Sequence, residues 1–230
     1  KLGLVYRNPS DAVYKPKAPK HEMQVLDENQ VRSLLITVRG KRLEALYKVA
    51  ITTGLRQGEI LGLKWSDLDW QTGQVHIQRQ VQRVPHVGLT FAEPKTAAGR
   101  RMIVLGLDTL EALKQHKERQ WVEIQFMGER WQENDLIFPS SIGTPLDPHN
   151  LIHRFKKLLQ EAKLPNIRFH DLRHTAATLM LKQGVPVKVV QERLGHSDAA
   201  MTLNVYSHTI PGMQEEAARK MDEITRLIEI

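Results

Sequence analysis

Apolar residues recur every three or four positions between residues 27 and 54, as they do on the buried face of an α-helix. Asp27 followed by Gln30 is typical of a helix start in which the two side chains cap each other's backbone. The apolar positions of two successive helices are Val31, Leu34, Leu35 and Val38, and then Leu43, Leu46, Val49 and Ala50. Gly54 can adopt the left-handed conformation that ends many helices. The pattern therefore predicts two helices, the second ending at Gly54.

A different spacing appears between residues 70 and 105. Val75, Ile77 and Val81 fall on one alternating face, and residues 101–105 indicate a further strand after a turn-rich interval. We therefore expect a small β-sheet inserted among the helices.

Helical spacing returns after residue 105. Asp108 with Glu111 predicts the start of another helix. The apolar stripe of the next helix is Leu151, Phe155, Leu158 and Leu159. Helical patterns follow at about 170–183 and 187–194, with a short one from Ser197. The predicted fold class is mainly α with a small antiparallel β-sheet (α+β).

The two ends of the chain differ in composition. Residues 1–22 contain three prolines among scattered lysines, which is typical of an extended linker, so we expect one folded domain over residues 23–230. Residues 211–230 hold three basic and five acidic residues, a net charge of −2. Their apolar positions, which predict an amphipathic tail helix, are Met213, Ala217, Met221, Ile224 and Ile228. This acidic tail suits a protein partner better than DNA.

The overall charge favours an anionic partner. Lys and Arg number 33 against 26 Asp and Glu, giving a net charge of +7 and a pI near 9.6, which favours nucleic acid or an acidic membrane surface. The absence of cysteine excludes disulfides and thiolate zinc sites. No apolar run approaches the roughly 18 residues of a membrane span. We expect a soluble intracellular protein.

Arg56 is the first candidate functional residue. It stands in the motif T-G-L-R-Q-G-E, between the glycine that ends one helix and the start of the next. Glu59 either pairs with Arg56 or acts as a first-turn acid that complements the helix dipole. Taken alone, Arg56 is an ordinary surface arginine in a helix corner.

The motif H-D-L-R-H-T places His170 and Arg173 on one helix face. Arginine offers a planar fork of donors for phosphate oxygens and histidine a charge that is adjustable near neutral pH, so the pair can bracket one phosphate. His170 and His174 also have the spacing of helical zinc ligands. However, the glutamate of the zincin motif is missing and Arg173 would repel a cation, so we expect no metal.

Two further motifs lie near the end of the predicted domain. In L-G-H-S, Gly195 ends a helix, His196 occupies the corner and Ser197 caps the next helix. Tyr206 follows His196 after a short helical stretch, in T-L-N-V-Y-S-H. Taken singly, His196 is more often structural, and a tyrosine such as Tyr206 more often belongs to a core or its rim.

In this order and spacing, the four motifs resemble the signature of the tyrosine recombinase, or phage integrase, family. The catalytic positions that match are Arg56, His170, Arg173, His196 and Tyr206. Lys95, in P-K-T ahead of Arg100, Arg101 and a strand, resembles the family's hairpin lysine. The resemblance runs from about Asp27 to His208. The segment R-N-P at 7–9 resembles the connector that leaves the family's core-binding domain, which is absent from these 230 residues.

The resemblance implies an enzyme that cleaves DNA through a 3′-phosphotyrosyl bond and rejoins it without metal or cofactor. Tyr206 is then the nucleophile, His170 the base that activates it, and Lys95 the acid that protonates the departing 5′ oxygen. The implied phosphate-stabilising residues are Arg56, Arg173 and His196; the supporting residues are Glu59 and His174; and the DNA-binding residues are Arg100 and Arg101.

The implied partners are double-stranded DNA attachment sites, a homotetramer at synapsis and accessory DNA-bending proteins, in the bacterial cytoplasm at the nucleoid. A type IB topoisomerase-like strand transferase has the same chemistry, but the residues of the four motifs resemble those of the integrases more closely. A catalytically inactive DNA-binding relative is the other alternative. Such a relative would lack Tyr206, Arg56 or Arg173, and all three are present.

Overall fold

A computed structural model of the chain describes residues 24–94, 99–196 and 213–226. The helices in these ranges are α1 (Glu28–Val38), α2 (Glu44–Thr53), α3 (Gln57–Leu61), α4 (Leu107–Met127), α5 (Pro148–Glu161), α6 (Asp171–Lys182), α7 (Val187–Leu194) and α8 (Met213–Arg226). The strands are β1 (Leu68–Asp69), β2 (Gln74–Ile77), β3 (Gln80–Val84), β4 (Gly88–Ala92) and β5 (Arg101–Val104). The predicted fold class, mainly helical with a small antiparallel β component, is confirmed.

Local capping and apolar spacing explain where the first helices lie. Asp27 accepts a hydrogen bond from the Gln30 amide at 2.8 Å, and the Gln30 side chain accepts one from the Asp27 amide at 3.0 Å, which confirms the predicted cap. Helix α2 packs against α1, α4 and α6. Its Tyr47 ring stacks on Phe155 of α5 with centroids 5.8 Å apart, and Phe155 meets Phe169 edge-on at 5.4 Å. These buried rings tie the N-terminal helices to α5 and to the segment that enters α6.

The strands form two small sheets, whereas the sequence predicted one. Strands β1, β2 and β5 form an antiparallel sheet, and β3 and β4 form a separate hairpin. Val75, Ile77 and Val81 are all buried as predicted, but Val81 belongs to the hairpin. The hairpin packs against α3, where a side chain on Gly58 would lie 2.7 Å from the Val81 carbonyl oxygen. This close approach requires a residue without a Cβ atom at position 58.

Helix α4 begins slightly earlier than predicted. Gly106 is its N-cap, and the amides of Thr109 and Leu110 donate to the Gly106 carbonyl at 2.9 and 3.1 Å. The expected cap, Asp108, lies inside the first turn, where its charge complements the exposed amides of the helix start. The helix starts here because strand β5 ends at Val104 and the chain turns directly at the glycine.

The predicted linker 1–22 lies outside the described residues, as does the short helix expected from Ser197. The tail helix expected over 211–230 is described over Met213–Arg226. Within its described side chains, Met221 and Ile224 are exposed.

Candidate active site

The end of α2, the first turn of α6 and the end of α7 meet around Gly54. It ends α2 in the left-handed conformation, with φ of +66°. A Cβ atom added here would lie 2.5 Å from Cδ2 of Leu194, the last residue of α7. The turn after α2 can therefore pack against the end of α7 only because residue 54 is glycine. Arg56, two residues later, is brought beside the end of α7 as a result.

Arg173, in the first turn of α6, joins these two turns. Its side chain is almost completely buried, at 2% relative exposure. One terminal nitrogen, Nη1, donates to the Gly54 carbonyl at 2.8 Å, and the other, Nη2, donates to the Leu194 carbonyl at 2.7 Å. The planar guanidinium is thus fixed between the end of α2 and the end of α7.

Arg56 is the more accessible of the two arginines. It occupies the N-cap position of α3, and its side chain is 39% exposed. Nη1 donates to Glu59 Oε1 at 2.7 Å, and Nη2 donates to the Gly195 carbonyl at 3.3 Å. Arg56 and Arg173 therefore bond to consecutive carbonyls, those of Gly195 and Leu194. We call this pair of guanidinium groups, with the carbonyls that hold them, the arginine cradle.

The carboxylate of Glu59 lies behind the arginine cradle and is only 3% exposed. It accepts from the Arg56 amide at 2.9 Å and from Arg101 through Nη1 at 3.2 Å and Nη2 at 2.9 Å. Burial by itself raises the pKa of Glu59, but the hydrogen bond and charge of Arg101, together with Arg56, outweigh it and hold the pKa below its usual value. One ionised carboxylate thus faces two guanidinium groups, which leaves a net positive charge.

Three histidines surround the arginines. His170 is the N-cap of α6, and its ring meets the His174 ring edge-on with centroids 5.1 Å apart. Burial lowers the pKa of His174 to about 4, and His170 adds to the effect. Burial and the charges of Arg173 and Arg56 lower the pKa of His196 to about 4. Desolvation and then Arg173 lower the pKa of His170 as well. All three rings are accordingly neutral at pH 7, so each carries one N–H donor and one acceptor nitrogen.

The structure brings most of the predicted site residues together. Arg56, Glu59, His170, Arg173, His174 and His196 lie at the junction of α2, α6 and α7. Lys95 and Tyr206 lie outside the described residues, so their predicted roles stay predictions. Arg100 is exposed, at 59%, and pairs with Glu93, so its predicted contact with DNA stays a prediction.

Arg101, which the resemblance implies is a DNA contact, is bonded to the protein in this structure, and its contact with DNA stays a prediction. Its side chain is 7% exposed, and its nitrogens donate to Glu59, to the Gly99 carbonyl at 3.1 Å and to the Arg193 carbonyl at 2.7 Å. A side chain that is buried and bonded in this way faces the protein interior. The sequence carried a signal for this: Arg101 stands two positions before the buried Ile103, and such residues share one face of a strand.

Sequence reasoning also missed Arg193, the residue before Leu194. It donates from Nη1 to the Val104 carbonyl at 3.2 Å and from Nη2 to the Thr52 carbonyl at 3.5 Å, so it fixes α7 against β5 and the end of α2. Its only signal is its place beside the L-G-H motif.

The described ranges contain no group of three or more histidine, aspartate or glutamate side chains arranged to hold a metal ion. They also contain no helix with the length and apolar character needed to cross a membrane.

Residues 24–212 match the Phage integrase family. The match covers more than half of the chain, and the chain belongs to this family.

Individual relatives agree with the family assignment. The chain is 33% identical over 214 residues to the "Tyrosine recombinase XerC-like" protein of Caldanaerobacter subterraneus subsp. tengcongensis, covering 88% of this chain and 55% of the relative. It is 28% identical over 223 residues to the ICEBs1 integrase of Bacillus subtilis, covering 96% of this chain and 60% of the relative. The chain thus spans little more than half the length of these two relatives.

Among solved structures, the fold resembles that of the Tn1549 transposon integrase in complex with transposon right end DNA. The TM-score is 0.76 at 23% identity, with 96% of this chain and 73% of that chain covered. The XerA recombinase structure gives a TM-score of 0.68, also at 23% identity, with 90% and 66% covered. The described fold is therefore that of these recombinase structures.

Proposed function

We propose that this chain is the catalytic domain of a site-specific DNA recombinase that cleaves and rejoins strands through a 3′-phosphotyrosyl intermediate. The observation that carries the proposal is the arginine cradle. Two guanidinium groups, 39% and 2% exposed, are fixed side by side on the carbonyls of Gly195 and Leu194, with His170 and His196 beside them. Such preorganised cations stabilise the extra negative charge that a phosphodiester develops under attack.

In the proposed reaction, the Tyr206 oxygen forms a bond to the scissile phosphorus while the bond from phosphorus to the 5′ oxygen breaks. The tyrosine proton passes to His170, whose lowered pKa leaves it neutral and able to accept it. The 5′ oxygen leaves as a hydroxyl with a proton from Lys95. Attack by a 5′ hydroxyl of a partner strand reverses these steps, so the bond energy is conserved. His196 donates a hydrogen bond to the phosphate.

The proposed partners are double-stranded attachment sites on a mobile element and its target. A homotetramer would hold two sites at synapsis, with help from accessory DNA-bending proteins, in the bacterial cytoplasm at the nucleoid. The domain would occupy residues 23–230, with residues 1–22 as the arm that connects it to a core-binding domain. The similarity to the Tn1549 transposon integrase, whose structure is in complex with transposon right end DNA, supports DNA as the partner.

The nucleophile is tested with a nicked suicide DNA site whose 3′ phosphate is labelled. The unmutated chain should form a denaturant-resistant adduct, and Tyr206→Phe should abolish the adduct while retaining DNA binding. An adduct that persists in Tyr206→Phe or maps to Tyr47 contradicts the assignment. Relaxation of supercoiled DNA without strand exchange between sites would favour the topoisomerase-like alternative. DNA binding without any adduct would favour the inactive relative.

The general acid is tested with DNA in which sulfur replaces the bridging 5′ oxygen, because sulfur departs without a proton. On normal DNA, Lys95→Ala should cleave roughly 10² to 10⁴ times more slowly. On the sulfur substrate it should match the unmutated chain, while Arg56→Ala, which removes charge stabilisation, should stay defective. If sulfur leaves Lys95→Ala equally defective, Lys95 is only a phosphate contact and His170 is the next candidate acid.

The tail is tested by ending the chain after Pro211. If the acidic helix binds a neighbouring protomer, this truncation should impair assembly on paired sites and leave binding to a single site intact. Unchanged assembly on paired sites would mean that the helix covers its own domain instead.

A further inference from the structure

Arg101 occupies a position in the site that a surface DNA contact would not need. It lies at the start of β5 with its side chain 7% exposed. Its three guanidinium nitrogens all donate hydrogen bonds: Nε to the Arg193 carbonyl, Nη1 to the Gly99 carbonyl and to Glu59, and Nη2 to Glu59. The side chain is therefore fully engaged by the protein.

These bonds link Arg101 to the arginine cradle by two routes. Through Glu59, Arg101 shares a carboxylate with Arg56, whose Nη1 and backbone amide donate to the same two oxygens. Through the Arg193 carbonyl, it holds the end of α7, where the next two carbonyls accept from Arg173 and Arg56. Arg101 thus fixes both the partner that orients Arg56 and the turn against which Arg56 rests.

The shared carboxylate of Glu59 also determines how much of the positive charge of Arg56 is available to a substrate. An ionised glutamate facing one arginine neutralises it and draws it inwards. When two arginines share the same carboxylate, each is neutralised only in part. Arg101 uses both oxygens of Glu59, so Arg56 keeps positive charge to offer on its exposed side.

We propose that Arg101 is a positioning residue for Arg56: by holding Glu59 and the end of α7, it sets the place and the available charge of the Arg56 guanidinium. Arg101 itself touches no DNA. The inference rests on the proposed function, since it concerns the phosphate that Arg56 would stabilise.

The test compares Arg101→Gln and Arg101→Lys with the unmutated chain in single-turnover cleavage of the suicide DNA site. Arg101→Gln should slow cleavage by about 10²-fold, the cost of a small displacement of a catalytic group. The dissociation constant for the DNA should change less than about 3-fold, because a buried side chain makes no phosphate contact. Arg101→Lys, which keeps the charge but loses the fork, should give an intermediate rate. Cleavage at the unmutated rate in Arg101→Gln overturns the proposal, and so does a large loss of DNA affinity.

A double-mutant cycle separates positioning from a general loss of structure. On the Arg56→Ala background, Arg101→Gln should slow cleavage by less than about 3-fold, because the group it positions is already gone. The full effect on both backgrounds would show that Arg101 acts independently of Arg56. Arg79→Gln is the matched control: Arg79 also pairs with a buried carboxylate, that of Asp67, but does not contact the arginine cradle. It should leave the cleavage rate per folded molecule unchanged.

A measurement without catalysis keeps this inference distinct from the proposed function. In the chain labelled with ¹⁵N-arginine, the side-chain N–H signals of Arg56, assigned with Arg56→Lys, should shift and exchange faster with water in Arg101→Gln, and stay unchanged in Arg79→Gln. If the unmutated chain forms no adduct with DNA, the proposed function fails and these signals still decide whether Arg101 positions Arg56. Unchanged Arg56 signals in Arg101→Gln overturn the inference whatever the activity.

Discussion

Two buried carboxylates in this protein have nearly the same surroundings and opposite consequences. Glu59 behind the arginine cradle and Asp67, in the turn directly before β1, each have a side chain that is 3% exposed. Each accepts from a backbone amide three residues before it, that of Arg56 at 2.9 Å and that of Lys64 at 2.8 Å. Each is also paired with an arginine.

The difference between the two clusters is the number of arginines. Arg79 alone bonds to Asp67, so their charges cancel, and Arg79 also donates to the Gly62 carbonyl at 3.4 Å, as a structural link. Glu59 faces both Arg56 and Arg101, so one positive charge is left over at the surface. An ion pair with matched charges ties chain segments together, whereas one with an excess cation also offers charge to an anionic ligand.

The largest expected effect comes from Arg173, whose two terminal nitrogens donate to the carbonyls of Gly54 and Leu194. Arg173→Lys cannot reach both Gly54 and Leu194, because a lysine has a single ammonium group and no fork. Cleavage of the suicide DNA site should fall by about 10³-fold, the upper range for losing one preorganised donor to a transition state. Arg79→Lys, measured in the same way, should cleave at close to the unmutated rate. Equal losses in both variants would mean that arginine geometry matters for folding rather than for the site.

Glu59→Gln and Asp67→Asn compare the two carboxylates directly. Each leaves arginine charge buried without its counter-ion, so each should lower the free energy of unfolding by about 3 to 5 kcal/mol. Only Glu59→Gln should also slow cleavage per folded molecule, by roughly 10²-fold, because only Glu59 orients Arg56. Urea unfolding gives the first quantity and single-turnover cleavage, scaled to the folded fraction, gives the second. A cleavage defect in Asp67→Asn would remove the distinction.

Acid should weaken the fold through a histidine that is far from the arginine cradle. Burial lowers the pKa of His116 to about 4, against about 6.5 in an unfolded chain, so the folded state disfavours its protonation. The contribution of His116 to the free energy of unfolding is fully present above pH 6.5. It is lost as the pH falls towards 4, because the unfolded chain binds the proton more readily than the folded chain does. The whole contribution is roughly 3 kcal/mol. Urea unfolding at pH 7 and pH 5 measures the loss. His116→Gln should be less sensitive to pH over this range, and unchanged sensitivity would assign the effect to other groups.

The smallest effect concerns the response of the histidines to DNA. His196 and His116 both have a pKa of about 4, but only His196 has the arginine cradle, Arg173 and Arg56, among the charges that lower its pKa. A bound phosphate adds negative charge to the site, so binding of duplex DNA should raise the pKa of His196 and leave that of His116 unchanged. Titration of the ring signals by NMR, with and without DNA, measures both. A matching rise at His116 would point to a change in the whole fold.

The sequence alone predicted the features that depend on local pattern. The Asp27 cap, the helix end at Gly54 and the buried stripe of α5 depend on neighbouring residues, and the structure has them as expected. The division of the strands into two sheets was not predicted, because strand pairing depends on contacts between distant elements, such as that between β3 and α3.

The candidate site shows the same limit. Motif resemblance selected Arg56 and Arg173, but the carbonyls that hold them come from turns far away in the sequence. The resemblance implied that Arg101 contacts DNA; its burial depends on Glu59, which the sequence placed only beside Arg56. Strand alternation with Ile103 was the one local signal for its direction.

The hydrogen bonds of the arginine cradle also determine when the proposed active site can form as the chain is made. The bond from Arg173 to Gly54 joins residues 119 apart, and that from Arg56 to Gly195 joins residues 139 apart. Synthesis runs from the N-terminus, so a ribosome must complete α7 before either guanidinium can be seated against its last carbonyls. An unfinished polypeptide that already carries Arg56 and Arg173 still lacks the carbonyls of Leu194 and Gly195 that hold them. Translation products that end before α7 therefore lack the arrangement of guanidinium groups on which the proposed cleavage depends.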